Sequence, residues 1–400
     1  MKNITLLLLL ISFACKNDEP GQAEVLQIPF KNNEKKIFKE GDVFADNRFD
    51  GARLSDFSKI NDSTFQATIR PENTPVNNSP WYGFRLWSNR AIDISLEILY
   101  TEHRHRYIPK ISFDGSKWDP LDAEYYEIDS VNKKATLFLQ LTSDTLWVAA
   151  QEVISSNQID SWLASLEGAP FIQKIEVGKS VLGKPINLLK INEGEGKQTL
   201  VLVGRQHPPE VPGGTIALMS FVETVLSGSA LAMDFRKRFE ILVFPLLNPD
   251  GVDMGNWRHN ANGVDLNRDW ESFTQPETKA VRNWINQRKD DTKRNYCFGI
   301  DFHTSYSGPY LLVIDTVANP INAGITDNWI HRIEQAWSGQ SLDIRPRSQK
   351  LPYCYNWMIN EVGIEAVTYE EGDEIDRETV RKRAAIYATK LMETLMEKYP

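Results

Sequence analysis

The stretch GRQHPPEVPGG, from Gly204 to Gly214, sets His207 and Glu210 three residues apart, directly after the apolar run TLVLV. Imidazole and carboxylate are the two commonest groups for holding a metal or moving a proton, and the intervening Pro208-Pro209 restricts the bend that carries them. A lone His-x-x-Glu is more often a surface turn, so the rest of the chain has to supply the other parts of a site. It offers several. His303 follows CFGIDF, Glu370 closes EAVTYE, and Asn248 and Asp250 follow EILVFPLL. Two histidines and a carboxylate are a recurrent ligand set for one catalytic zinc, which keeps a fourth position for water. His207, Glu210 and His303 are the candidate ligands, with one Zn2+ per chain. The three cysteines show no close-spaced metal motif.

Side chains so far apart in sequence meet only if the elements beneath them converge. Beyond residue 158, strongly apolar runs (TLVLVG, EILVFPLL, CFGIDF, YLLVID, EAVTYE) alternate with helical patterns at 213–227, 276–288, 320–338, 353–362 and 376–397. Apolar strands interleaved with helices predict an α/β catalytic domain with a mixed, largely parallel sheet covered on both faces. Such sheets bind ligands at the carboxyl ends of their strands, where all these polar residues fall. Before residue 150 the pattern is different: short alternating runs such as STFQATIR, IDISLEILY and KATLFLQL, separated by turn residues, predict antiparallel strands in an all-β sandwich. The expected division is a signal peptide at 1–14, a tether at 15–24, a β-sandwich domain at 25–150 and a catalytic domain at 159–400.

Between the two ligand segments lies NPDGVDMGNWRHNANGVDLNRDW, Asn248 to Trp270, rich in Asn and Gly and carrying Arg258, Asp265, Asn267 and Arg268. Arginine forks pair with carboxylates, so two of them beside a zinc site suggest an anionic substrate end and an oxyanion to stabilise.

The motifs HPPE, NPDGV, GNWRHNANGVDLNRDW, DFHT and TYEEGD, in this order, resemble the zinc carboxypeptidase family typified by the pancreatic carboxypeptidases A and B, and look closest to its cytosolic-carboxypeptidase-like branch. The resemblance covers roughly 160–395. WYGFRLW, Trp81 to Trp87, is similar to part of the β domain that precedes the peptidase in that branch. The resemblance implies His207, Glu210 and His303 as zinc ligands and Glu370 as general base. It implies Arg258 polarising the scissile carbonyl, Asn267 and Arg268 gripping a terminal carboxylate, and Asp265 orienting His207. The substrate implied is a peptide with a free C-terminal carboxylate. Glu371, Asp373 and Glu374 are rivals for the base; Glu371 has opposite strand parity to Glu370 and should face elsewhere. Tyr353 and Tyr355 offer no clear match to the family's mobile tyrosine. A deacylase of N-acyl amino acids on the same scaffold is an alternative, as is a non-catalytic surface protein that stacks glycans on Trp81, Trp87, Trp118 and Trp147.

The other features bound the class. A formal net charge of -9 argues against a nucleic-acid binder. MKNITLLLLLISFAC has a lysine, a short apolar core and a small residue before Cys15, which reads as an export signal and not a membrane span. Ala14-Cys15 resembles a bacterial lipoprotein signal, giving a lipid anchor at Cys15 and a periplasmic or cell-surface location; ordinary cleavage after Ser12-Phe13-Ala14 is the other option. An oxidising compartment would permit a Cys297–Cys354 disulfide. His103 and His105, read as sharing a strand face, and His259 and His331 are expected to be structural.

Overall fold

The computed structural model describes residues 33–400 except 195, 197, 289–294, 315–323 and 338–340. The signal, tether and Cys15 lie outside the described residues. So do residues 25–32 of the expected β domain and 320–323 of the expected helix 320–338, of which Ile325–Ala336 is helical.

Residues 37–149 form two sheets. One is six-stranded, in the order Ile37–Glu40, Val43–Asp46, Gly83–Ser88, Leu146–Ala149, Lys110–Ser112, Asp119–Pro120. The other is five-stranded, in the order Asp56–Lys59, Thr64–Ile69, Ile92–Tyr100, Lys134–Leu141, Tyr126–Asp129. Alternation in these runs sends one side of each strand into a shared core, which includes Phe57, Phe65, Tyr82, Leu86, Leu96 and Leu137. The strands are not all antiparallel as the alternation suggested: Thr64–Ile69 runs parallel to Ile92–Tyr100. Period-two patterning reports which face is buried and is silent about direction.

The second region is built on one eight-stranded sheet: β1 (Ile172–Lys179), β2 (Pro185–Ile191), β3 (Gln198–Gly204), β4 (Phe239–Phe244), β5 (Asn295–Ser305), β6 (Tyr310–Ile314), β7 (Ile344–Arg347) and β8 (Glu365–Gly372), in the order β1-β2-β4-β3-β5-β8-β6-β7. The central run β4-β3-β5-β8 is parallel throughout. The flanks are mixed, with β1-β2, β2-β4 and β6-β8 antiparallel. Both faces are covered, which is why the central strands read as unbroken apolar runs. Leu200, Leu202, Ile300 and Phe302 face one core, shared with helices Leu218–Val225 and Arg377–Lys398, whereas Val201, Val203, Leu242 and Phe244 face another, shared with helix Pro276–Gln287. Burying one such side chain is worth about 1.5–3 kcal/mol, so the two-sided core fixes the register of the strands that carry the polar ends.

Cys297 and Cys354 are both buried and not joined to each other, so the disulfide that an oxidising compartment would permit is not formed.

Candidate metal centre

The four parallel strands end on one rim, and the bend after β3 opens the site. Arg205 has a left-handed backbone (φ 51°) that turns the chain sharply out of the strand. Its buried guanidinium braces the bend from within, donating to Pro208 O (2.8 Å), Thr215 Oγ1 (2.6 Å) and Ile154 O (3.3 Å). The chain then enters a π-helical turn, Pro212–Ala217, continued by helix Leu218–Val225. Gly213 is required here: a Cβ would stand 1.7 Å from His303 O. That close approach seats the bend directly on β5, with Gly213 N donating to Thr304 Oγ1 (2.7 Å) and Thr304 N to Glu210 Oε2 (3.2 Å).

His207, Glu210 and His303 come together there, all buried, with one ligand atom from each within 4.8 Å of the others. His207 Nδ1 lies 2.7 Å from Glu210 Oε1, and His303 Nδ1 lies 2.6 Å from Glu210 Oε2. Each far ring nitrogen rests on an aspartate: His207 Nε2 on Asp265 Oδ1 and His303 Nε2 on Asp301 Oδ2, both at 2.9 Å. An aspartate acceptor fixes the Nε2–H tautomer, which leaves a lone pair on each Nδ1 aimed at the Glu210 carboxylate. Lone pairs facing an anion need positive charge between them. A divalent cation with two nitrogen ligands and one oxygen ligand supplies it, so the donor set fits zinc. Without a cation, protons do the same work. Burial lowers the His303 pKa, but Asp301 and Glu210 outweigh it and hold the ring charged well above its usual range. Burial likewise opposes ionisation of Glu210, yet the two imidazoles keep its carboxyl well below the usual carboxylate range.

Asp301 was missed in the sequence, although its spacing from His303 was a signal: two positions apart on a strand is the same face. Gln206 was missed as well. It donates to Asp301 Oδ1 (2.7 Å) and accepts from Trp270 Nε1 (2.8 Å), which locks the aspartate under His303.

Glu370 lies beside His303 in the parallel β5-β8 register. Its Oε2 is shut off from solvent with no hydrogen-bond partner, although the residue as a whole is partly exposed. Burial, aided by Glu210 and Asp301 and opposed by His303 and Arg258, pushes this carboxyl up to about 7. Its sequence rivals are all engaged. Glu371 faces the other side of the sheet, where it takes Tyr369 Oη (2.6 Å) and Arg383 Nη1 (2.5 Å). Asp373 is held by both arms of Arg106 (2.7 and 3.0 Å), and Glu374 by Lys110 Nζ (2.6 Å).

Arg258 reaches the centre from the loop after β4. Its Nε donates to Asp265 Oδ2 (2.9 Å) and its Nη1 stands 3.8 Å from Glu210 Oε1. Burial raises the Asp265 pKa, but His207 and Arg258 reverse this and hold it well below the usual range. Arg268 is half-exposed, stacked 4.3 Å over the Tyr353 ring. Asn267 is buried, accepting from Cys354 N (2.9 Å), with its amide nitrogen 3.2 Å from His303 Nε2.

Other strand-end candidates do not belong to the centre. Asn248 caps the short helix Pro249–Asp253 and donates to Gln206 O (3.0 Å), which makes it a loop support. Asp250 accepts from Leu182 N (2.8 Å) beneath the β1-β2 turn. His103 and His105 lie in a loop and not on a strand; they bind Val76 O and Tyr100 Oη. Arg345 and Arg347 sit on the edge strand β7, Arg345 over the Tyr310 ring at 3.6 Å. Of the four tryptophans weighed as glycan platforms, Trp81 is buried in the β core, Trp87 stacks on Phe44, and Trp118 meets Trp147 edge to face.

Residues 159–320 match the zinc carboxypeptidase family. Mouse (Mus musculus) cytosolic carboxypeptidase 6 is 23% identical over 290 residues, 66% of this chain and 54% of that protein, so the chain spans little more than half the length of this relative. Two solved structures share the fold across both regions. A metallo-carboxypeptidase from Burkholderia cenocepacia has a TM-score of 0.70 at 21% identity, covering 89% of this chain and 98% of that one. A metallo-carboxypeptidase from Pseudomonas aeruginosa in complex with (2-guanidinoethylmercapto)succinic acid has a TM-score of 0.71 at 17% identity, covering 88% and 99%.

Proposed function

We propose that the chain is a zinc carboxypeptidase that releases C-terminal residues from peptides. The observation that carries this reading is the convergence of His207, Glu210 and His303, each imidazole anchored behind by an aspartate, with Arg258 and the unpartnered Glu370 Oε2 alongside. Zinc bound by these three side chains would supply Lewis acidity and an activated water.

The chain's own groups have separate tasks. Ionised Glu370 accepts a proton from the attacking water and returns it to the departing amine nitrogen. Arg258, fixed on Asp265, presents its remaining N–H groups to the oxygen that gains negative charge as the carbonyl is attacked. Arg268 offers a planar fork to the free carboxylate of the substrate, which selects the last peptide bond over internal ones. The Asn267 carbonyl is taken by Cys354 N, so this side chain can contribute only through its amide N–H groups.

The test is zinc content of purified protein together with release of free amino acids from a mixed C-terminal peptide library. One zinc per chain with stepwise release is the expected result. Zinc with turnover of N-acyl amino acids and not of peptides would reassign the chemistry to deacylation, and absence of zinc after metal-replete purification would overturn the site.

A further inference from the structure

The loop that delivers Arg258 is held by the other region of the molecule. Glu72, in the loop after strand Thr64–Ile69, accepts hydrogen bonds from three consecutive backbone amides: Trp257 N (2.7 Å) on Oε2, and Arg258 N (2.8 Å) and His259 N (2.6 Å) on Oε1. Its neighbours complete the grip. Asn73 Oδ1 meets His259 Nδ1 at 2.9 Å, and the fully buried Arg53 donates to Gly255 O and Asn256 Oδ1. The Trp257 side chain is wholly buried in the core between the two β sheets. At its other end, Arg258 is tied to Asp265, which carries His207. The residue between these two anchors therefore has little freedom.

We propose that Glu72 is a positioning residue: a carboxylate of the N-terminal β region that fixes the backbone of Arg258 and thereby the distance between its guanidinium and the metal centre. A group that merely joined two regions would have no reason to act through Arg258. The N–H donors of three successive residues converge on this one carboxylate, and the middle residue is the arginine itself. Buried side chains of the β region thus complete a site whose other residues all come from the second region.

The kinetic arm of the test rests on the carboxypeptidase reading; the labelling arm does not. Glu72→Gln keeps the shape but replaces an acceptor oxygen by an amide that opposes an N–H. It is expected to keep wild-type zinc content and to lower kcat about ten- to a hundredfold with KM within about twofold, the scale of a small misplacement of a catalytic group. In an Arg258→Ala background the same change should cost less than about twofold, because a residue that acts through Arg258 has nothing left to position. Activity of Glu72→Gln near wild type, or a full multiplicative loss in the double variant, would overturn the proposal. Glu72→Asp, which keeps the charge, enters the same cycle if Glu72→Gln does not fold. The labelling arm measures by mass spectrometry how fast an arginine-selective dicarbonyl reagent modifies Arg258, with Arg268 as internal reference. Faster labelling of Arg258 alone in Glu72→Gln supports positioning even if no peptide substrate is found, and equal rates reject it.

Discussion

Two loops meet at the candidate metal centre, and they are supported from opposite directions. The ligand bend, Arg205 to Glu210, is braced within its own region: the Arg205 guanidinium ties Pro208 O to Thr215, and Gly213 lets the bend lie against β5. The Gly255 to Asn267 loop has its backbone anchored by Arg53, Glu72 and Asn73 of the β region, Asn73 donating to Gly263 O (3.3 Å). The candidate ligands and the arginine beside them can therefore fail separately. A defect in the bend should show as lost metal, and a defect confined to the Arg258 end of the loop, away from Asp265, as lost turnover with metal retained.

The largest effect is expected from His207→Ala, which removes a ligand. Zinc content should fall to background in elemental analysis with turnover lost, and full occupancy would remove His207 from the ligand set. Glu370→Gln should retain zinc and lower kcat about 10²- to 10⁴-fold, the range for a general base. Retained hydrolysis would reassign the proton transfer, and no neighbouring acid in residues 371–374 is free to take it. The sharpest contrast between the loops comes from Arg205→Met and Arg53→Met. The first should weaken zinc affinity about 10–100-fold, as loss of support behind metal ligands does. The second should leave zinc affinity unchanged while lowering kcat, and equal zinc affinities for the two variants would dissolve the contrast.

Smaller effects come from pH. Glu370 must be ionised to accept a proton, so kcat/KM rises with pH through its pKa. Burial pushes that value from 4.5 up to about 7, and a bound dication would pull it back, so the acid limb belongs between these limits. A limb above 7 would contradict the assignment. Glu72 behaves oppositely. Burial raises its pKa, but the His259 hydrogen bond and Arg53 outweigh this and bring it down to about 2. A depressed carboxylate contributes stability that is present above pH 4.5 and lost as pH falls toward 2, roughly 3 kcal/mol at most. Glu72→Gln should therefore flatten the acid side of the stability curve, read by denaturant melts at pH 3 and pH 6.

The central strands and the meeting of His207, Glu210 and His303 were legible in the sequence because a two-sided core leaves long apolar runs and the polar residues at their ends share one rim. The edges were not. β1 alternates only weakly, and β7 (IRPR) carries a proline that an edge strand tolerates and a central one does not. Gln206 is a support reached through the fold and carries little local signature, whereas the signal for Asp301 was its i, i+2 spacing from His303. Arg205, Glu72 and Arg106 were invisible for a related reason: their partners lie in bends or in the other region, and nothing in a charged residue's neighbours announces a contact 186 positions away, as for Glu72, or 267, as for Arg106.

Trp257 gives the molecule a constraint in time. The other residues of the β core end at Val153, yet this one arrives about a hundred residues later. At a synthesis rate of about 5–20 residues per second, the first region made waits roughly 5–20 s for its last core side chain. Until then it exposes an empty indole socket and the unpaired Glu72. The nascent β region can complete its core only when the loop bearing Arg258 has emerged to fill it.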